Sequence, residues 1–240
     1  MTAVAEGPAA TTSAATSGDV ALERATKWAN DYAARLTERA EHRLAELAGH
    51  SNGNGSLLPR IGGPTTGDPA TGFYVGFDVV ATSPIQFGGP PPYQPSKVIA
   101  AGEQAFIVAL IFVNPTVNIP LGWAVPASVQ LGGRTWRMTL DQGNLTTGGI
   151  LPQQVVTAAF GSPATTITPV VFSLATPNPG PDPALIEANV TVDIVDPAQP
   201  YAAFATNFLD IDNDPGFLGV PASAAGFRHE LPNRYLIYSE

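Results

Sequence analysis

The apolar positions of the chain follow two periods, which divide it into an N-terminal helix and a β-rich body. Between residues 19 and 48, apolar side chains recur every three or four positions, and neither Gly nor Pro interrupts them. This spacing predicts an amphipathic helix that begins near Asp19 and ends near Gly49. The apolar stripe of this helix consists of Trp28, Tyr32, Leu36, Ala40, Leu44 and Leu47.

Residues 73–240 have the period of strands, with turn-forming sequences between short apolar stretches. Alternation is clearest in 188–195 and in 134–140, where every second residue is apolar. Many short strands without intervening helices predict an antiparallel β-sandwich, immunoglobulin-like or jelly-roll-like, preceded by the amphipathic helix. The eight predicted strands lie in 73–80, 103–113, 134–140, 155–160, 169–174, 188–195, 202–211 and 234–238.

Composition along the chain indicates four segments. The first is rich in small polar residues and predicts a disordered tail, and the third is rich in Gly, Pro and Asn, as linkers are. The predicted boundaries are 1–18 for the tail, 19–48 for the helical arm, 49–72 for the linker and 73–240 for the β-sandwich domain.

One predicted strand, in 103–113, is apolar on both faces. Such a strand must be covered on both sides. The opposite sheet is one cover. The second is the N-terminal helix, a linker segment such as Leu57 and Leu58, or another subunit; the sequence leaves these three open.

The overall composition excludes several classes of protein. Gly and Pro number 24 each in 240 residues, which is incompatible with an all-helical or coiled-coil chain. Cys is absent, so a disulfide-stapled scaffold and a Cys-ligated metal site are excluded. Hydrophobic residues make up 44% of the chain, which is enough to form a core.

The charge balance argues against anionic partners. The chain carries 11 basic and 20 acidic residues, for a net charge of −9. Nucleic acids and anionic membrane surfaces attract clustered Lys and Arg, so neither is an expected partner. The first 18 residues lack the pattern of a signal peptide, and no apolar run approaches the length of a membrane span. We therefore expect the protein in the cytoplasm or in a particle assembled there.

The densest group of carboxylates is Asp210, Asp212 and Asp214. Their spacing matches the opening of a calcium loop, but Pro215 and Pro221 stand where such a loop needs Gly and Glu. A solvated acidic turn is the favoured interpretation, and calcium binding by this group stays open. No metal or cofactor is predicted.

No catalytic constellation emerges from the sequence. The histidines are His42, His50 and His229, and none belongs to a known hydrolase motif. An enzyme of the glycosidase type would need two paired carboxylates. The candidates Asp141, Glu103 and Asp210 cannot be paired from sequence. The prediction is that the protein is not an enzyme.

Two other segments could contact ligands. Residues 90–93 have the P-P-x-Y form of peptides that bind WW domains, although a crossing between strands is the simpler interpretation. A glycan platform could use the aromatic rings of Trp123, Trp136 and Tyr201. Alternation with Met138 and Leu140 favours a core position for Trp136.

These observations favour a non-enzymatic structural or assembly protein. Its body would be joined to copies of itself, as a homo-oligomer, or to a larger complex through the N-terminal helix, because an isolated amphipathic helix needs its face buried. The alternative is a β-sandwich module that binds a glycan or small ligand, with or without the aid of calcium. The predicted interface residues are Trp28, Tyr32, Leu36, Leu44 and Leu47.

Overall fold

A computed structural model describes residues 17–50, 77–113, 127–162, 166–195, 202–204 and 232–239 of the chain. This part is mostly β, with two sheets, a long N-terminal helix and one short helix. In chain order the elements are α1 (Ser17–His50), β1 (Phe77–Ala81), β2 (Ile85–Gln86), β3 (Val98–Ala100), β4 (Ala105–Val113), α2 (Ala127–Leu131), β5 (Thr135–Asn144), β6 (Gly149–Ala159), β7 (Ile167–Leu174), β8 (Ala184–Ile194), β9 (Ala202–Phe204) and β10 (Asn233–Tyr238).

Helix α1 begins two residues before the predicted Asp19 and extends to His50, one residue past the predicted stop. Asp19 lies in its first turn, where a negative charge interacts favourably with the helix dipole. On the solvent side, the Lys27 ammonium contacts the Asp31 carboxylate at 2.7 Å, one turn further on. This pair is exposed and adds only a few tenths of a kcal/mol, so packing must supply most of the stability of α1.

The first sheet is built around β4. Strand β7 pairs with β4 along nearly its whole length, while β1 and β2 share the opposite edge of β4. The chain leaves the ladder briefly between β1 and β2. There the Thr82 N–H still donates to the Val108 carbonyl at 2.9 Å, which keeps this edge attached to β4.

The second sheet has the order β3-β10-β8-β5-β6, with β9 also paired to β8. The described pairings are antiparallel except for β3 with β10, where Val98 lies opposite Leu236 in a parallel register. The wholly antiparallel arrangement predicted from sequence is therefore wrong at this edge. Parallel neighbours are joined by long connections, so local turn patterns do not reveal them.

Strand β5 continues through residues 141–144, past the predicted strand 134–140 and into a stretch, DQGN, whose residue types favour turns. The turn comes later, where the Asn144 side-chain oxygen accepts the N–H groups of Thr146 and Thr147 at 3.0 and 3.1 Å. Because β5 pairs with β6 on one edge and with β8 on the other, ladder hydrogen bonds outweigh the turn preference of this stretch.

The inner faces of the two sheets share one hydrophobic cluster. The predicted alternation in 134–140 is confirmed, since Trp136, Met138 and Leu140 are all buried. The same holds for 188–195, in which every second residue from Val190 to Ile194 is buried. From the first sheet, β4 and β7 contribute mainly Ile, Val and Phe side chains to this cluster.

A polar pair lies within this core. The Gln142 Nε2 donates to the Tyr235 hydroxyl oxygen at 2.6 Å, and both side chains are buried. Burial raises the pKa of the Tyr235 hydroxyl above its ordinary value, and the hydrogen bond from Gln142 opposes this shift only in part. The folded chain therefore holds the Tyr235 proton more tightly than the unfolded chain does.

The substitution Tyr235→Phe tests this pair. At neutral pH it should lower the free energy of unfolding by about 1–3 kcal/mol, because the Gln142 amide loses its buried partner. The wild-type chain should lose stability above pH about 10, where the unfolded tyrosine ionises and the folded one does not. In Tyr235→Phe this alkaline loss should be smaller. Urea unfolding from pH about 7 to about 11 measures both effects, with Tyr238→Phe in the same strand as the control. Equal pH slopes in the two variants would contradict the assignment.

Candidate functional site

The outer face of β4 is as apolar as its inner face, and α1 covers it. Its outward residues Phe106, Val108, Leu110 and Phe112 are buried, with exposed fractions of 3% or less. They form a second hydrophobic cluster with residues of α1 and of the chain around β2. The N-terminal helix is thus the second cover of this strand, the first of the three possibilities that the sequence left open.

Helix α1 reaches the sheet through small side chains. Ala25, Ala29 and Ala33 recur every four residues, and with Leu36 they are the buried residues among the described side chains of α1. Residues spaced by four lie on one helix face, and methyl groups allow the helix axis to approach the sheet closely. The larger side chains of the second cluster come instead from the sheet and from the chain around β2, among them Phe87, Phe106 and Phe112.

The chain segment after β2 holds one side of the helix. The Arg24 Nη1 donates to the Phe87 carbonyl at 2.8 Å. The Phe87 ring lies 4.8 Å from that of Tyr93 and 5.7 Å from that of Phe106, between ring centroids. Tyr93 is therefore packed against the chain's own core, while the three prolines that precede it are exposed. This geometry leaves the tyrosine of the P-P-x-Y stretch little freedom to enter a partner's pocket.

An aromatic flank, formed by Trp28, Tyr32 and Arg35, runs along α1 beside its buried face. The Trp28 and Tyr32 rings stack with centroids 5.0 Å apart, and the Arg35 guanidinium lies 5.9 Å from the Tyr32 centroid. Both rings are half-buried at the border of the second cluster, whereas Arg35 is exposed. Trp, Tyr and Arg are the residue types enriched at the centres of protein interfaces.

The structure separates the residues predicted as an interface. Leu36 is buried against the chain's own sheet, and Trp28 and Tyr32 lie in the aromatic flank. Leu44 and Leu47 belong to α1, but their side chains lie outside the described residues. A role for these five residues between chains stays a prediction. The alanine face was missed because Ala counts weakly as apolar; its repeat at every fourth position could have revealed it.

Helix α1 continues past the last of its described side chains that is buried. Its last buried residue among the described side chains is Leu36, and the helical backbone continues to His50. That remainder extends about 20 Å at 1.5 Å per residue. The described side chains of 38–42 are exposed.

The carboxylates considered for catalysis have structural partners where they are described. The Glu103 Oε1 accepts the Gly88 N–H at 2.8 Å, and the Asp141 Oδ1 accepts the Gln153 Nε2 at 2.6 Å. His42 is exposed on α1, and the side chain of His50 is outside the described residues. Among the described residues, no three His, Asp or Glu side chains are grouped to hold a metal ion. Asp210, Asp212, Asp214 and His229 lie outside the described ranges.

The glycan platform loses one of its predicted members. Trp136 is 2% exposed and lies in the core between the sheets, so its ring has no surface on which a sugar could stack. Its indole Nε1 is buried and has no hydrogen-bond partner in the part of the chain that the structure describes. Trp123 and Tyr201 lie outside that part.

No helix within the described ranges combines the length and the apolar character needed to cross a membrane.

Comparison with known proteins gives no family for this chain. No family model matches it, and no curated protein matches it. Among solved structures, it is similar to the CARDB domain of a protein from Pyrococcus furiosus, whose crystal structure was determined in complex with di-metal ions. The match covers 54% of this chain and 85% of that one, with 12% sequence identity and a TM-score of 0.25. A likeness this distant supports no argument about function.

The substitution Ala29→Leu tests the close contact between α1 and the sheet. Ala29 is 1% exposed, so three added carbons must displace the helix or the rings beneath it, at a cost of about 1–3 kcal/mol. Thermal unfolding should show a lower Tm. The control is Ala34→Leu, the same change at an exposed position of the same helix, which should leave the Tm nearly unchanged. Equal effects at both positions would contradict the described packing.

Proposed function

We propose that this protein is a non-enzymatic structural or assembly protein, joined to copies of itself or to a larger complex through its N-terminal helix. The observation that carries the proposal is that the described side chains in 38–42 are exposed although the helical backbone continues to His50. The helix has 34 residues, and among its described side chains the buried ones run from Ala25 to Leu36. The exposed turn that follows Leu36 is therefore available to a partner.

The aromatic flank is the best candidate for the contact. Trp28 and Tyr32 stack on each other and border the second cluster, so their orientation is held before any partner arrives. Binding to such a surface immobilises few further side chains, which keeps its entropic cost low. Arg35 beside Tyr32 adds a charged donor that can reach carboxylates of an acidic partner. The net charge of −9 makes another copy of this chain one such acidic partner.

We further propose that the two sheets form an immunoglobulin-like β-sandwich. The strand order supports this choice over a jelly roll. Strands β1, β4 and β7 correspond to A, B and E of that fold, and β6, β5, β8 and β10 correspond to C′, C, F and G. The buried Trp136 on β5 occupies the strand that carries the core tryptophan of immunoglobulin domains. Here no disulfide accompanies it, since the chain has no cysteine.

Deletion of the helix is a poor test of assembly. Without α1, the outer face of β4 would expose Phe106, Leu110 and Phe112 together. A patch of this kind promotes aggregation. A truncated chain that lacks residues 1–60 is therefore expected to aggregate, which would hide any loss of a specific contact.

The double substitution Trp28→Ala and Tyr32→Ala is a sharper test. Light scattering after size exclusion should give a multiple of 24.9 kDa for the wild-type chain and a smaller mass for the variant. The matched control is Leu22→Ala, a large-to-small change on the same helix at a position that is 44% exposed. It should keep the wild-type mass. Circular dichroism and the Tm verify that each variant is folded.

The proposal predicts that only the aromatic variant loses mass. A folded double variant with the wild-type oligomeric mass would contradict a role for the aromatic flank. A wild-type chain that is monomeric at every concentration would contradict self-assembly. The larger complex would then be the remaining partner, and the aromatic variant and the Leu22→Ala control would be compared for binding to it.

A further inference from the structure

Strand β6 is a long edge strand with exposed apolar side chains. In the part of the chain that the structure describes, β6 pairs with β5 alone, so its other edge is unpaired. Ile150 is 90% exposed and Val155 is 51% exposed, and Leu145 in the preceding turn is 49% exposed. Unpaired edges offer a row of N–H and C=O groups to any other strand, and soluble proteins usually protect them.

The protection of this edge covers only its first half. Leu140 lies opposite Gln154 and Gln142 lies opposite Leu151, so Pro152 and Gln153 form a bulge opposite Asp141. A bulge and a proline both hinder strand addition. Residues 154–159 follow the bulge in regular register with β5 and contain no Pro, Gly or charged residue. Residues 154–159 therefore lack the proline, bulge and charged side chains that normally keep an edge strand from pairing.

The backbone groups that face outward follow from the hydrogen bonds of β5. The Thr135 carbonyl accepts the Val195 N–H on the β8 side at 2.9 Å, and the Arg134 carbonyl accepts the Phe160 N–H on the β6 side at 2.8 Å. Bonding directions alternate along an antiparallel ladder. Residues 154, 156 and 158 therefore bond to β5, while Val155, Thr157 and Ala159 direct their N–H and C=O groups away from the sheet.

The charge distribution favours a second copy of this chain as the partner for the edge. The chain has a net charge of −9, yet no charged residue occurs in 142–181, which includes all of β6 and β7. Two copies that meet at β6 bring no like charges into contact there. A basic protein partner would be attracted instead to the acidic remainder of the surface.

We propose that residues 154–159 of β6 pair antiparallel with the same residues of a second copy, around a two-fold axis at Thr157. This register places Thr157 opposite its own copy and Val155 opposite the copy's Ala159. All the outward groups are then used, because each such pair exchanges both of its backbone hydrogen bonds. Facing threonines are a favourable cross-strand pair. The contact is isologous, as a two-fold dimer requires, and it joins the second sheets of two chains into one continuous sheet.

Cysteine cross-linking tests the register directly, since the chain has no cysteine of its own. In the proposed pair the two Thr157 Cα atoms are about 5.5 Å apart, within the range that a disulfide spans. Full-length Thr157→Cys should form a covalent dimer under mild oxidation by diamide, at least tenfold faster than a control cysteine. The control is Val98→Cys on β3, at the opposite end of the same sheet, where Val98 is 51% exposed, the same fraction as Val155. Equal cross-linking rates for the two variants would overturn the proposal.

A second pair of variants tests the edge without a cysteine. Thr157→Lys places two ammonium groups opposite each other in the proposed dimer and should raise its dissociation constant at least tenfold, measured by sedimentation equilibrium. Val98→Lys should leave that constant unchanged, and thermal unfolding verifies that both variants are folded. An unchanged constant in a folded Thr157→Lys protein would overturn the proposal; if this variant fails to fold, the cross-linking rates decide.

This interface does not depend on the aromatic flank. In a chain that combines Thr157→Cys with Trp28→Ala and Tyr32→Ala, the proposal expects cross-linking at the rate of Thr157→Cys alone. Loss of cross-linking in that folded triple variant would overturn a separate interface at β6 and assign association to the helix instead.

Discussion

The burial of β4 on both of its faces is the constraint on which the rest of the structure depends. All nine residues of this strand are buried. Its inner face joins the core between the two sheets, and its outer face joins the layer beneath α1. Each large apolar side chain contributes about 1.5–3 kcal/mol when it is fully removed from water. Neither cover can therefore be lost without exposing a row of such side chains, and the N-terminal helix is part of the folded unit.

This constraint decides which side chains of α1 face the sheet. The face toward the sheet carries Ala25, Ala29 and Ala33, which bring the helix close and leave the bulk to the rings of the sheet side. The large aromatic side chains of the helix lie beside that face, in the aromatic flank. Both rings are half-buried against the second cluster, so only part of their surface is left for the partner proposed above.

The second proposed contact surface lies on a different sheet. Strand β6 belongs to the second sheet, whereas α1 packs on β7 and β4 of the first. The two sheets are tied together near this edge, where the Gln154 Nε2 donates to the Ser173 carbonyl of β7 at 2.6 Å. An edge held by such a bond presents a defined backbone geometry to an incoming strand, because the strand that carries it is not free to peel away.

Much of the fold follows from local sequence patterns, and the exceptions have physical causes. The alternation of apolar and polar residues correctly predicted the strands around Trp136 and Val192, because one face of each strand is buried. The absence of Gly and Pro between residues 19 and 48 correctly predicted a helix there, which is α1. Local patterns could not show that β5 continues past Asp141, because two neighbouring strands outweigh the turn preference there. They also could not show that β3 pairs with β10, which lies far away in the chain.

The candidate site was only partly visible in the sequence. The helical stripe included Leu36, which is buried against the sheet, but it gave weight to side-chain size and so omitted Ala25, Ala29 and Ala33. The edge of β6 depends on which strand lacks a second neighbour. That property belongs to the sheet and to no single stretch of residues, so no local pattern encodes it.

The parallel pairing of β3 with β10 has a mechanical consequence. The chain enters β3 at Val98 and leaves β10 at Tyr238, and the register places these two residues at opposite ends of the pair. Tension applied between the start of β3 and the end of β10 would pull the two strands lengthwise past each other. Their hydrogen bonds would be loaded together and would have to break at once, whereas an antiparallel hairpin pulled from one end opens bond by bond. The edge strand that local patterns missed is thus held by a pairing that resists lengthwise separation more strongly than a hairpin opened from one end.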